Sequence, residues 1–380
     1  MPITTHARRR LTAAAAAATL AGVLAACSSG GSSGAGSAQS ASQASTRGKA
    51  AQQAVAAITA RPTQLSIGKK ITKPVPAGKT IATINCGTDA CTNLDSLMKQ
   101  AAAILSWKTL EIPTDGTAQQ IGNAWQEAIQ KHVSGIVESG VTRAQVETYI
   151  QRAKAAGIAV VLDATTDPPG NGVLAVVQDG TSQVNQGTNL GAWVANDAYK
   201  TGNPDAQILY VTVPDFKVLS YIGDGWAASI KKYCPTCKVQ DLNVGLSSLQ
   251  QATSLISAKL SSNPGIKYVV FSAENIFDSV PPALKAAGFT GKVVGGVPSN
   301  VTLTQLRAGQ VTAVTAFPEY EEGYATLDVF ARYFAGVIST EPPAKYTIPA
   351  WILTSANVPK QNGFPIVANV VQQYKTAWGK

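Results

Sequence analysis

Histidine is nearly absent from this chain: His6 and His132 are the two in 380 residues. Imidazole is the side chain whose ordinary pKa puts its charge change between about pH 5 and 8. Its scarcity removes most acid–base and metal chemistry built on His. His6 lies in the leader, and His132 ends a helical pattern beside Lys131, where positive charge suits the helix dipole. No G-x-S-x-G nucleophile elbow and no G-x-x-x-x-G-K-[ST] phosphate loop occurs. No catalytic residue, metal set or cofactor is therefore expected. Charge is also sparse, at 14% of residues against 45% hydrophobic, which suits a well-buried globular protein. The formal net charge is +9, and Arg8, Arg9 and Arg10 supply three of those charges. The rest is scattered, with no basic run, and reads as solvated surface rather than a nucleic-acid footprint.

What is present begins with order at the N-terminus. Arg8 to Arg10 precede an Ala-rich apolar run over 11–24, which closes in Leu24-Ala25-Ala26-Cys27. That is the layout of a secretory signal peptide. The run is short of the roughly 20 residues that a permanent membrane span needs. Cys27 after small residues resembles a bacterial lipobox, in which the Cys is lipidated and becomes the mature N-terminus. The plain alternative is a leader cut elsewhere, with Cys27 incidental. Arg8-Arg9 also weakly resembles a twin-arginine export signal.

After Cys27 the chain turns to Ser, Gly, Ala and Gln as far as Ala60. Such a stretch buries too little apolar surface to offset its ordering entropy, and reads as a flexible tether. Within it, 48–60 is Ala-rich enough for an isolated helix. The segment 61–79, with Pro62, Pro74 and Pro76, reads as an extended lead-in. The folded part then starts near Gly78 and is long enough for two lobes.

There are five cysteines. With Cys27 set aside for lipid, Cys86, Cys91, Cys234 and Cys237 remain, an even number in an exported chain. The expected disulfides are Cys86–Cys91 and Cys234–Cys237. The second has C-x-x-C spacing, but redox thiols of that kind open a helix after a strand. Here the pair follows a helical pattern and precedes a strand, so it reads as structural.

From residue 80 the chain repeats one phrase: apolar run, polar loop, helical pattern. Strands are expected at 80–85, 107–112, 133–137, 158–162 and 173–177. Helices fall at 94–106, 117–131 and 143–156, the last ended by Gly157, a good C-terminal cap. The pattern restarts with helices at 186–200, 220–232, 249–260, 282–287 and 321–338. Strands there fall at 207–211, 238–243, 267–271, from 293 and at 311–316. Alternation of this kind gives parallel sheets with helices on both faces. Two series give an α/β fold of two doubly wound lobes, with ligands beyond the carboxyl ends of the strands and a cleft between the lobes.

Several phrases carry a resemblance. Residues 266–288 read I-K-Y-V-V-F-S-A-E-N-I-F-D-S-V-P-P-A-L-K-A-A-G, and 291–296 read G-K-V-V-G-G. Upstream stand V-S-G-I-V at 133–137 and G-I-A-V-V-L-D at 157–163, with G-D-G-W at 223–226. In order and spacing, 78–336 resembles a type I periplasmic binding protein of the ribose or sugar-binding group. The resemblance implies a Venus-flytrap with crossovers near Gln178-Asp179, near Ala316-Phe317 and near the C-terminal segment. It divides the chain into a signal peptide (1–26), a lipid-anchored tether and lead-in (27–77), an N-terminal lobe (78–178 with 317–345) and a C-terminal lobe (179–316 with 346–380). It implies a monomeric lipoprotein on the extracytoplasmic face that hands a small solute to an ABC permease. A receptor module for a membrane signalling protein is the alternative; a secreted enzyme fits less well. It also places the two cysteine pairs in different lobes, which argues against a shared zinc site.

The site pattern departs from the family's. Asp163 is kept, but Ala164 stands where Arg is frequent. The Arg of the R-x-x-G-F phrase falls near Ser220, the next polar position near Ala273, with Glu274 and Asn275 following. An acidic position falls near Val297 and an amide position near Phe317. Cys86 to Cys91 occupy a loop that often holds paired aromatics. The expected ligand residues are Thr88, Asp163, Ser220, Tyr221, Glu274, Asn275 and Phe317, with Tyr320 a further candidate. Asp163 and the Glu274-Asn275 pair also read as helix or turn caps, and Tyr221 and Phe317 as ordinary core aromatics. The expected ligand is a sugar or a less polar sugar-like solute: a buried polar group left unpaired costs about 1–3 kcal/mol, so either the ligand is less polar than a pentose or hexose, or residues such as Thr88, Tyr221 and Tyr320 supply the missing contacts.

Overall fold

The computed structural model describes residues 34–65, 67–85, 89–338 and 349–380, without the side chains of 34–43, 89 and 90. Cys27, Cys86 and Thr88 lie outside the described residues. The chain divides into two units at Ser42, and residues 43–380 form the one that holds both sheets.

Two sheets form, and each follows from runs that are apolar on both faces. The first contains β1 (Thr80–Ile84), β2 (Lys108–Ile112), β3 (Gly135–Ser139), β4 (Ala159–Asp163) and β5 (Val173–Val177). Its order is β2-β1-β3-β4-β5, parallel throughout. Every residue of β3, β4 and β5 is buried, as a parallel sheet covered by helices on both faces demands. On one face lie α3 (Ala118–Gln130) and α4 (Arg143–Ala155). Thr117 caps α3 by accepting from the Gln120 N–H, and Ile121, Ala124, Trp125 and Ala128 are buried along it. Glu138 is buried in this layer, takes a hydrogen bond from the Trp125 indole, and is pushed by burial to a pKa of about 8. On the other face lie α2 (Asp89–Ile104) and α10 (Glu319–Phe334).

The second sheet contains β6 (Gln207–Thr212), β7 (Lys238–Asn243), β8 (Ile266–Phe271), β9 (Lys292–Gly295), β10 (Ala313–Thr315) and β11 (Ile352–Thr354). Its order is β11-β10-β9-β8-β6-β7, with β11 alone antiparallel. Around it stand α5 (Gly180–Lys200), α6 (Val218–Tyr233), α7 (Ala252–Ser262), α8 (Val280–Ala286) and α9 (Asn300–Arg307). Helices α5 and α6 meet backbone to backbone. A Cβ at Gly187 would overlap the Ile222 carbonyl, and one at Gly225 the Val184 carbonyl. The Cys234–Cys237 disulfide closes the turn after α6, as expected.

Three expectations are corrected. First, the stretch read as free tether is helical over α1 (Gly34–Thr59), and Ala51 and Val55 are buried in the second lobe's core. The Trp351 indole and the Asn357 amide both donate to the Thr59 carbonyl. Residues beyond α1 then bond to the first lobe: Arg332 holds the Gly68 and Lys69 carbonyls, and the Ile71 N–H donates to the Ala377 carbonyl. Composition predicted a tether because bulky apolar residues are few, but Ala51 and Val55, with half-buried Ala50, Ala54 and Ile58, suffice when a lobe supplies the partner surface. Second, the segment 346–380 is split between the lobes. Strand β11 joins the second sheet, while α11 (Val370–Trp378) packs on the first lobe. Val370, Tyr374, Ala377 and Trp378 form its inner stripe, and Trp378 stacks on Tyr324 at 6.0 Å. Third, α9, β11 and α11 add to the elements expected from sequence. They are short, and β11 exists only by pairing with β10.

Candidate functional site

The strand ends of the first lobe hold a buried polar cluster. Asp163, the last residue of β4, is 1% exposed. Its Oδ2 accepts from the Ser139 hydroxyl at 2.9 Å, and its Oδ1 has no hydrogen-bond partner. Glu322 of α10 is its neighbour. Burial raises both carboxyls above their ordinary range, and for Glu322 the Asp163 charge adds to it. Gln178, which follows β5 at the first crossover, donates to Glu322 Oε2 at 2.9 Å. Its own carbonyl accepts from Gln183 at 2.7 Å and Gln186 at 3.3 Å, two residues one turn apart on α5.

The second lobe's strand ends offer neutral groups. Asn275 sits in a one-turn 3-10 helix after β8, anchored by its N–H to the Val297 carbonyl. Its Oδ1 is buried without a partner, and so is Thr315 Oγ1 at the end of β10. Phe317 lies half-buried at the second crossover. Ala164, Gln178 and Val297, which follow β4, β5 and β9, have φ of 46°, 54° and 49°. Left-handed backbone at non-glycine residues costs about 1–3 kcal/mol and gathers where a site over-determines the chain. A β-branched Val there is a genuine outlier.

Not every expected residue joins this group. Glu274 is fully buried and turned into the lobe, against the Cα of Gly295, where it accepts from the Thr302 hydroxyl. Burial lifts its pKa to about 8. Its Oε1, like the Oδ1 of its neighbour Asn275, is buried without a partner. Ser220 is exposed in the first turn of α6 and donates to the Lys217 carbonyl. Tyr221 packs over Gly180 at the start of α5. The Tyr320 hydroxyl donates to the Gly363 carbonyl. Sequence reasoning missed Ser139, Thr315 and Glu322, and saw Gln178 only as a crossover. The available signal was Gln178, Gln183 and Gln186, three amides placed directly after an apolar strand.

This arrangement is rich in acceptors and contains no basic side chain. It suits a ligand that donates hydrogen bonds. Among the described residues, no cluster of three His, Cys, Asp or Glu side chains is placed to hold a metal.

The periplasmic binding protein domain matches residues 85–337. The chain belongs to that family. Solved structures similar to this periplasmic binding protein include the sugar-binding protein of a sugar ABC transporter from Bacillus halodurans. It is 18% identical, with 74% of this chain and 98% of that one covered and a TM-score of 0.64. An ABC transporter solute-binding protein from Burkholderia graminis, in complex with D-arabinose, is 17% identical, with 76% and 98% covered and a TM-score of 0.64. A Mycobacterium smegmatis protein in complex with β-D-fucofuranose is 20% identical, with 80% and 98% covered and a TM-score of 0.63. At such identities the likeness shows the fold, two α/β lobes of the type I class. No curated protein matches the sequence. The family is one of solute-binding proteins rather than enzymes. No helix among the described residues is long and apolar enough to cross a membrane.

Proposed function

We propose that this periplasmic binding protein captures a small polar solute, a sugar or a less polar sugar-like molecule, by lobe closure and delivers it to an ABC importer permease. The observation behind this reading is the set of unpartnered polar atoms at strand ends: Asp163 Oδ1 in the first lobe, Asn275 Oδ1 and Thr315 Oγ1 in the second. Buried polar atoms are otherwise paired as a rule, and a ligand's hydroxyls or N–H groups supply what is missing. The sugars bound to similar solved proteins support the ligand class. Asp163, Asn275 and Phe317 are the residues assigned to the ligand. In the same reading Cys27 carries the lipid that holds the protein at the extracytoplasmic face of the membrane, as a monomer.

A thermal-shift screen of sugars, polyols and less polar solutes tests the ligand class. A true ligand at a hundredfold excess over Kd stabilises by about 2.7 kcal/mol. No shift with any hydroxylated solute overturns the sugar-like assignment. Detergent partitioning tests the anchor: Cys27→Ala should move the protein to the aqueous phase, and unchanged partitioning sinks the lipoprotein assignment.

A further inference from the structure

A groove runs between α6 and the edge strand β7, separate from the strand-end cluster. Tyr210 pairs with Asp241, and Thr212 with Asn243, so these side chains share the sheet face on which α6 lies. Helix α6 covers Tyr210, whose ring stacks on Trp226 at 5.2 Å. It leaves β7 open: Asp241 and Asn243 are exposed, and Val239 is 37% exposed. The wall is low where Gly223 and Ala227 stand one turn apart. A Cβ at Gly223 would meet nothing nearer than the Tyr210 hydroxyl at 3.7 Å.

Two sets of groups in this groove await partners. Tyr210 is 4% exposed, and its hydroxyl has no hydrogen-bond partner of good geometry, with Ser272 its nearest polar neighbour. Burial and Asp241 raise its pKa while Ser272 lowers it, and a phenol is in any case a donor at neutral pH. Asp224 and Asp241 line the groove. Neither takes part in an ion pair among the described residues. Lys231 stands at the far end, next to the Cys234–Cys237 turn.

We propose that this groove is a second binding site, for a small amino alcohol such as an amino sugar. The ligand's ammonium lies between Asp224 and Asp241, and one of its hydroxyl oxygens accepts from Tyr210. Lys231 disfavours a second ammonium further along, which separates this class from linear polyamines. From Ser220 to Lys231 the helix is about 16 Å long, enough for one sugar-sized ligand.

Calorimetry on the full chain in detergent, with glucosamine as probe, tests the site. Binding should persist in Asp163→Ala, fall at least tenfold in Asp224→Asn/Asp241→Asn, and weaken severalfold in Tyr210→Phe, which keeps the ring stack on Trp226. Glucose, lacking the ammonium, should give no heat in Asp163→Ala. The site is overturned if glucosamine gives no heat in that variant, or if the Asp224→Asn/Asp241→Asn protein, with an unchanged circular dichroism spectrum, binds it equally well. Loss in Asp163→Ala alone places glucosamine at the strand ends, which overturns the groove and leaves the solute-binding reading standing.

Discussion

At the strand ends of the first lobe the groups are ionisable and mutually bonded: Asp163 with Ser139, and Glu322 with Gln178. At those of the second lobe they are neutral: Asn275 and Thr315, beside Ala273, Val297 and the half-buried Phe317. The two sheets share the same parallel core topology, so the difference lies in the loops and not in the scaffold. A buried carboxyl pair is costly to desolvate and rigid once bonded. A few neutral acceptors beside apolar surface are cheap to cover and to uncover. Within the proposed function, solute selection would fall to the first lobe and closure over the solute to the second.

The largest effect expected is on the first lobe's own frame. Asp328 and Arg332 form a buried ion pair on α10, and the Trp378 indole donates to Asp328. Arg332→Ala leaves that carboxylate buried and releases the Gly68 and Lys69 carbonyls, at a cost of about 3–5 kcal/mol. Calorimetric melting should show it, and an unchanged Tm contradicts it. Next comes solute binding. Asp163→Ala should weaken it at least tenfold, about 1.4 kcal/mol, and Asn275→Ala by less. The reverse order in titration calorimetry exchanges the roles given to the lobes.

The pH dependence is smaller and sharpens the comparison within the second lobe. Glu274 has a folded pKa of about 8 against an ordinary 4.5. Folding therefore favours its protonated form. That contribution is complete below about pH 4.5 and is lost as pH rises through 8. Glu274→Gln should raise Tm at pH 8 more than at pH 5, and an equal shift at both removes the carboxyl as the cause. The smallest effect is that of Cys234→Ala/Cys237→Ala. The loop is so short that the disulfide contributes at most about 2 kcal/mol, so Tm should drop by only a few degrees.

Much of the architecture was legible because parallel strands buried on both faces leave near-continuous apolar runs, such as 158–162 and 173–177. The crossovers near Gln178 and Phe317 were expectations of the family resemblance and not of the residues themselves. Site residues were harder to read. Glu274 and Asn275 are adjacent and both polar, yet Glu274 is turned into the core under Gly295 and accepts from Thr302, while Asn275 is half-buried and held through its N–H to Val297. Only the turn geometry after β8 separates them. Ser220 shows the same limit: its place in the family phrase suggested a ligand, and its exposed hydroxyl donates back to the Lys217 carbonyl at the start of α6.

The sequence by itself determined the two-lobed α/β plan, the scarcity of catalytic groups and the second disulfide, because each depends on local pattern or composition. The tertiary structure decided where weakly patterned segments go. Residues 44–65 and 67–77 have few bulky apolar side chains but lie against both lobes, and α11 returns to the first lobe because Tyr324 offers its aromatic stripe a partner. Long-range burial supplies that free energy, and no window of sequence contains both halves of such a contact.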